Sequence, residues 1–297
     1  MAEPETVRDL VAEGEARLRR SPAIDHWPSQ RERWESDQLM AHALGIDDDA
    51  ADPDLAVGTA ERRRFRDLIR RRAGGEPMAH IVGWTRFRGI RLEVRPGAFV
   101  PRQSSEWLAE QAVRRLRRRS EPVAVDLATG IGPVALAVAW NVRRARVHGT
   151  DLSADAIRQA RRNARLLRLS NVDFHRGDMF ASLPRAVHGD VDVITIHPPY
   201  VPKNEIEDLP LEVRGFEPVD TLTDHSEHGL GLAERAAVDG REWLKRGGWL
   251  LVEVSPDRAR GIRSLLSRTG YRDVRSTDGW PNVPRVVVGR SERRRSP

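Results

Sequence analysis

An apolar run, Val191 to Ile196, breaks off at His197-Pro198-Pro199-Tyr200. The run reads as a buried strand, and it must stop there because neither proline has an N–H to offer a sheet. Two prolines also stiffen the turn, so an imidazole, two carbonyls and a phenol ring are held in fixed relation at the strand's carboxyl end. In open α/β sheets ligands bind outside that edge. A rigid corner rich in acceptors suits the gripping of an amino or amide nitrogen before it is alkylated, with His197, Pro198 and Tyr200 as catalytic candidates. The same residues would also serve as a plain strand-ending turn.

A second set of candidates lies upstream. The strand from Val123 opens into Asp126-Leu127-Ala128-Thr129-Gly130-Ile131-Gly132, and its glycines let backbone approach a ligand closely. Asp151 ends the next strand, where a carboxylate can accept from ribose hydroxyls. Asp178 ends a third, with Met179 and Phe180 beside it to pack on an adenine face. Gly130-x-Gly132-x-x-Ala135 with Asp151 also meets the dinucleotide fingerprint, which would make the chain a nicotinamide-dependent oxidoreductase. Asp126 argues the other way. A carboxylate just before the glycines repels a pyrophosphate but pairs with a cationic amino acid, and S-adenosylmethionine carries an ammonium and a sulfonium and no phosphate. Asp126 and Asp178 could otherwise be simple strand-end caps.

These residues need a frame. From Val123 onward apolar strands alternate with amphipathic helices, which predicts a parallel sheet covered on both faces. Strands are expected at 123–127, 146–150, 172–176, 191–196, 249–254, 271–276 and 285–289, and helices near 133–141, 154–168, 229–246 and 257–269. Ser153 suits an N-cap, and Ile157, Ala160, Ala164 and Leu167 make one apolar face. Residues 1–75 hold no strand-like run. Val7, Leu10, Val11 and Leu18 predict one helix, Trp34, Leu39, Ala43 and Leu44 a second stopped by Gly45, and a third spans Thr59 to Arg72. The expected division is a helical domain over 1–75, a linker with a β-hairpin over 76–100 (strands Trp84 to Phe87 and Ile90 to Val94), a catalytic domain over 101–290 and a disordered basic tail over 291–297.

Composition narrows the classes. With no cysteine among 297 residues, disulfides, thiolate metal sites and cysteine nucleophiles are excluded. No apolar run is long enough to span a bilayer and no signal-peptide core is visible, so a cytoplasmic location is expected. A net charge of +6 invites a nucleic-acid partner. Yet Lys203 and Lys245 are the only lysines, and such arginine bias is also what a skewed coding composition yields. The cluster Arg114, Arg115, Arg117, Arg118 and Arg119 reads as the solvated face of a helix, with contact to an anion or nucleic acid as the alternative.

Several segments taken in order resemble the protein N5-glutamine methyltransferases of the HemK/PrmC type, which modify a glutamine of peptide-chain release factors. They include Gly75-Glu76-Pro77-Met78-Ala79-His80-Ile81-Val82-Gly83, Val100-Pro101-Arg102, Asp126 to Gly132, Asp151-Leu152-Ser153, Gly177-Asp178, Pro198-Pro199-Tyr200-Val201-Pro202, Glu212-Val213-Arg214, Glu217-Pro218 and Arg285-Val286-Val287. The resemblance implies a class I S-adenosylmethionine-dependent methyltransferase, an α/β Rossmann-like domain with a seven-stranded, mostly parallel sheet, behind a small helical N-terminal domain. It implies S-adenosylmethionine as cofactor, with Asp126, Ala128, Gly130, Gly132, Asp151, Leu152, Asp178, Met179 and His197 around it. A release factor or other protein docked by the helical domain is the implied partner.

Apart from Ala128 at the cofactor turn, the departures concern the acceptor side. His197 stands where the family has asparagine, Gln103-Ser104-Ser105-Glu106 replaces Pro-Glu-Thr-Glu, and Thr223-Asp224-His225-Ser226 replaces an Asp-Gly-Gly loop. Ser255-Pro256-Asp257-Arg258 follows Glu253-Val254 in place of Gly-x-x-Gln, and Ala128 replaces the first glycine of the cofactor turn. An amide nitrogen is a poor nucleophile because its lone pair is delocalised. In the family-like picture the Pro198 carbonyl and residue 197 each accept one N–H while Tyr200 packs on the planar group. Neutral imidazole still offers one acceptor, and imidazolium offers none, so such activity should fall below about pH 6.5. Histidine could also act as a base toward another acceptor, so a small molecule or an exocyclic amine of nucleic acid remains an alternative substrate, and a cofactor-binding protein without chemistry a further one. His225 and His228 are expected in a solvated loop and in no metal site.

Overall fold

The computed structural model describes residues 5–26, 28–46, 51–277 and 285–292. In chain order the elements are α1 (Val7–Arg19), α2 (Arg31–Leu44), α3 (Thr59–Ala73), α4 (Met78–Val82), β1 (Trp84–Phe87), β2 (Ile90–Glu93), α5 (Ser105–Leu116), β3 (Val123–Leu127), α6 (Pro133–Asn141), β4 (Arg146–Asp151), α7 (Ala154–Leu166), β5 (Val172–Arg176), β6 (Val191–Ile196), α8 (Leu211–Arg214), α9 (Gly231–Trp243), β7 (Leu244–Val254), α10 (Ala259–Arg268), β8 (Arg272–Thr277) and β9 (Arg285–Arg290). They form two compact units. One comprises Met1–Trp84 together with Glu207–Glu217, and the other Thr85–Ile206 together with Pro218–Pro297. The sequence reading ended the helical segment at 75 and left 207–217 in the catalytic domain; the compact helical unit runs to Trp84 and takes in 207–217 as well.

In the helical unit, Thr6 and Asp9 close a reciprocal capping box on α1. Leu10, Val11 and Leu18 from α1, Leu39 and Met40 from α2, and Phe65 and Ile69 from α3 make its core. Gly14 is required where α1 crosses, because a Cβ there would meet Phe65 at 2.8 Å. Trp34, expected on the apolar face of α2, is instead 55% exposed. Five residues separate it from Leu39, which turns it roughly 140° away on a helix.

That face of α2 carries charge in its place. Arg72 is fully buried and donates to Glu35 at 2.7 and 3.1 Å and to Glu212 at 2.6 Å. Arg31 forks onto Glu212 at 2.9 and 2.8 Å and donates to Glu35 at 2.9 Å. Burial works to raise the Glu212 carboxyl, but Arg31 and Arg72 overcome it and hold it below the ordinary glutamate value. Two arginines and two glutamates thus neutralise one another inside the unit. Through Glu212 they bind the 207–217 segment to α2 and α3.

In the other unit the sheet order is β5-β4-β3-β6-β7-β9-β8, parallel from β5 to β7, with β9 antiparallel to both its neighbours. Strands β3 and β6 are buried at every position, the mark of a sheet covered on both faces. Ser153 caps α7 by accepting from the Ala156 N–H, as its position predicts, and Ile157, Ala160 and Ala164 are buried. Strand β7 begins at Leu244, not 249, since Leu244 pairs with Val191 before a register shift. Ser291, expected in the tail, is buried and exchanges backbone hydrogen bonds with Gly247 and Gly248. The rest of that tail, from 293, lies outside the described residues.

The arginine cluster on α5 is only partly a solvated face. Arg115 lies 4.5 Å over the Trp249 ring, and burial pushes its guanidinium down to about 10. Arg119 donates to the Gly247 carbonyl at 3.1 Å.

Candidate active site

The order in which strands are added reverses between the parallel neighbours β3 and β6. The connection leaving β3 runs to β4 on one side, and that leaving β6 runs to β7 on the other, so their carboxyl ends border the sheet's switch point. Leu127 pairs with Ile196, and the next residues along are Ala128 and His197. The glycine turn and the diproline corner therefore emerge side by side. Beyond them opens a cavity of about 700 Å³ lined by Ala128, Gly130, Asp151, Leu152, Asp178, Met179, His197 and Pro198.

The turn after β3 is stitched in place by backbone. Gly130 N–H donates to Asp151 Oδ2 at 2.8 Å and Ser153 N–H to Oδ1 at 2.8 Å, while Thr129 N–H reaches the Thr150 carbonyl at 2.9 Å. Burial raises the Asp151 carboxyl, against the pull of those two N–H donors. Each of its oxygens keeps a lone pair for a hydroxyl in the cavity. Gly130 has φ of +57° and nothing within 4 Å of where a Cβ would stand, a cradle open to an occupant. Ala128 takes φ of +50°, the left-handed region that a glycine occupies freely. Thr150 Oγ1 lies buried with no partner among the described residues. A ligand with a ribose and an adenine fits this donor and acceptor set.

Asp126 and Gly132 do not line the cavity. Asp126 is buried, accepting from Thr129 Oγ1 at 2.5 Å and from Thr195 Oγ1 at 2.6 Å. Burial outweighs these bonds and raises its carboxyl to about 6. It clasps β3, the turn and β6 together; only 4% exposed and absent from the cavity lining, it does not face the space where the cationic ligand expected for it would lie. Gly132 meets the Phe174 ring at 2.8 Å from its virtual Cβ, so its role is close packing.

Asp178 lines the cavity, but Arg235 on α9 holds its Oδ2 at 2.8 Å. Nothing in the sequence pairs these two, which stand 57 residues apart. Tyr200 is also differently placed. Its ring sits 5.7 Å from the His197 ring and is absent from the cavity lining, so it buttresses the imidazole and does not cover a planar substrate. Burial, and then the nearby Glu253, push its phenol up to about 12. Tyr200 bridges Thr223, and Gly229 packs so tightly on the Tyr200 carbonyl that no Cβ fits there.

A wall of this cavity that no sequence motif marks is made by Phe99 and by Pro218, Asp220, Thr221, Thr223, Asp224 and His225. Asp224 was expected in a loose solvated loop. It accepts instead from Ser226 at 3.0 and 2.6 Å and from the Leu232 N–H at 3.0 Å, tying that loop to the start of α9. Despite its burial, those donors hold the Asp224 carboxyl below the ordinary aspartate value. His225 bonds Asp220 at 2.8 Å. Among the described residues no group of three acidic or histidine side chains could hold a metal ion, and no helix is long and apolar enough to cross a membrane.

Comparison with known proteins agrees with this architecture. Residues 119–226 match the profile of a methyltransferase domain, and residues 9–83 match that of the PrmC N-terminal domain. The release factor glutamine methyltransferase of Bordetella pertussis is 33% identical over 284 residues, 95% of this chain and 98% of that protein. That of Geobacter sulfurreducens is 33% identical over 87% of this chain and 89% of its own. Among solved structures, a methyltransferase from Pyrococcus furiosus shares 19% identity and a TM-score of 0.51 over 68% of this chain and 89% of its own. A 16S rRNA N2 G1207 methyltransferase of T. thermophilus shares 16% identity and a TM-score of 0.52 over 70% of this chain and 49% of its own. These two speak to the fold, that of class I S-adenosylmethionine-dependent methyltransferases. With a third of its residues shared over nearly the whole length of such relatives, this chain is a methyltransferase and belongs to the release factor glutamine methyltransferase family.

Proposed function

We propose that this protein methylates the side-chain amide of a glutamine in a peptide-chain release factor. The observation that carries the reading is the pairing of Leu127 with Ile196, which sets the glycine turn beside the diproline corner at one switch point. S-adenosylmethionine supplies an electrophilic methyl group when bound. Asp151 would hold its ribose, and Ala128, Gly130 and Met179 the surface beneath it, all of them in the cavity lining. The Pro198 carbonyl and a neutral His197 nitrogen would each accept one amide N–H, orienting the nitrogen for attack. Positioning of this kind can lower a barrier by several kcal/mol. Phe99, edge-on to the His197 ring at 5.6 Å, and Tyr200 restrict how far that imidazole can tip.

The helical unit is the proposed docking surface for the release factor. It carries a groove lined by six arginines and Asp67, in which Arg62, Arg66 and Arg70 pair with Glu5, Glu13 and Asp67 and leave Arg17, Arg63 and Arg64 to meet an acidic protein face. Incubation of the full chain with isotope-labelled donor and a release factor, read by peptide mass spectrometry, should place one methyl on a glutamine amide. Labelling of some other component of a lysate, with none on the release factor, would sink the glutamine assignment.

A further inference from the structure

Glu253 is a buried acid with no side-chain hydrogen bond among the described residues. It stands one residue before the end of β7, fully buried, and neither carboxylate oxygen has a hydrogen-bond partner among the described residues. Its one ion-pair contact among those residues is with His197, whose Nδ1 lies 3.8 Å from Oε2. That is too long for a direct hydrogen bond, so the carboxylate acts on the ring through its field. Ser105 Oγ, at the start of α5, lies 3.2 Å from the same nitrogen. The other ring nitrogen, Nε2, has no partner among the described residues, and His197 lines the cavity.

An unpaired buried carboxylate is costly, and the cost falls when a positive dipole or charge faces it. A proton on Nδ1 provides that dipole, and Ser105 Oγ can accept it. The lone pair of the neutral ring is then on Nε2. We propose that Glu253 is a positioning residue that keeps the His197 proton on Nδ1, so that Nε2 takes the proton released by methyl transfer. For its substrate this rests on the glutamine reading above; for the tautomer it does not. In the reaction the amide nitrogen bonds to the methyl carbon as the carbon–sulfur bond breaks and its electron pair stays on sulfur. The proton displaced from nitrogen moves to Nε2 and later to water. Positive charge lost at sulfur thus reappears on an imidazolium within reach of Glu253. Other charged groups are Arg102, Asp257 and Arg258 around Tyr200, and Asp151, Asp178, Asp220, Asp224, His225 and Arg235 in the cavity lining. None of these changes in the variants below.

The test uses the full chain with ring-nitrogen-labelled histidine, with the His197 signals assigned by their loss in His197→Asn. NMR at neutral pH should show His197 protonated on Nδ1 and bare on Nε2; the opposite tautomer would overturn the proposal. Glu253→Gln should mix the tautomers, lower kcat by on the order of tenfold with KM for the donor unchanged, and move the acidic limb of the pH profile to lower pH. In a His197→Asn background the same substitution should have no such effect. A Glu253→Gln enzyme with unaltered tautomer and pH profile also refutes the role. If that variant does not fold, the wild-type spectrum decides alone. The expected tautomer without any release factor methylation would discard the substrate reading and leave Glu253 where it is placed here.

Discussion

Arg72→Met tests the ionic cluster that joins α2, α3 and the 207–217 segment. Arg72 is fully buried, and the substitution keeps its apolar bulk while removing four donor contacts, two to Glu35, one to Glu212 and one to the Glu76 carbonyl. Two carboxylates are then left to share Arg31, so one buried negative charge loses its counterion. Breaking a buried pair from one side costs about 3–5 kcal/mol. Against a domain stability of roughly 5–15 kcal/mol, that is a large fraction. Urea unfolding followed by circular dichroism should show the midpoint falling at unchanged slope, and Glu212→Gln paired with Arg72→Met should be strongly non-additive. The cluster also sets a pH dependence. Its arginines hold Glu212 below the ordinary value of 4.5, so the unfolded chain takes the proton first. The Glu212 contribution is therefore complete at neutral pH and is lost as pH falls from 4.5 through the depressed folded value. A loss under about 1 kcal/mol in Arg72→Met, or full additivity, would refute the reasoning.

Thr195→Val should destabilise by about 1–3 kcal/mol in urea titration, because Asp126 Oδ1 loses its hydroxyl donor in a buried site. Gly229→Ala should leave the fold intact by circular dichroism yet cut methyl transfer at least tenfold, on the order of 1.4 kcal/mol, since its Cβ would displace the Tyr200 carbonyl and the corner with it. Asp151→Ala should weaken S-adenosylhomocysteine binding by about 10- to 100-fold in calorimetry, the loss expected for a charge-assisted hydrogen bond.

The parallel strands were legible because strands buried on both faces read as continuous apolar runs, as β3 and β6 do. The corner and the glycine turn were legible for the same reason: each begins where such a run stops. Asp126 was misjudged because its partners are hydroxyls. Thr195, a polar residue inside an otherwise apolar strand and opposite Asp126 in the register, was the available signal. Tyr200 is a substrate candidate on chemistry alone, and only its ring contact with His197 shows where the ring goes. The wall from Pro218 to His225 and the pairing of Arg235 with Asp178 depend on folding of distant segments, which no local spacing encodes. Membership of 207–217 in the helical unit is hidden likewise, since Glu212 meets Arg72 across 140 positions.

That last distance bears on how the protein is made. A ribosome delivers every helix from α1 to α4 long before it delivers Glu212, so early in synthesis Arg31 and Arg72 face Glu35 with one acid for two cations. The cluster has its second acid only when translation has passed β3 to β6 and the corner itself. A fragment cut at Trp84 would carry that imbalance permanently.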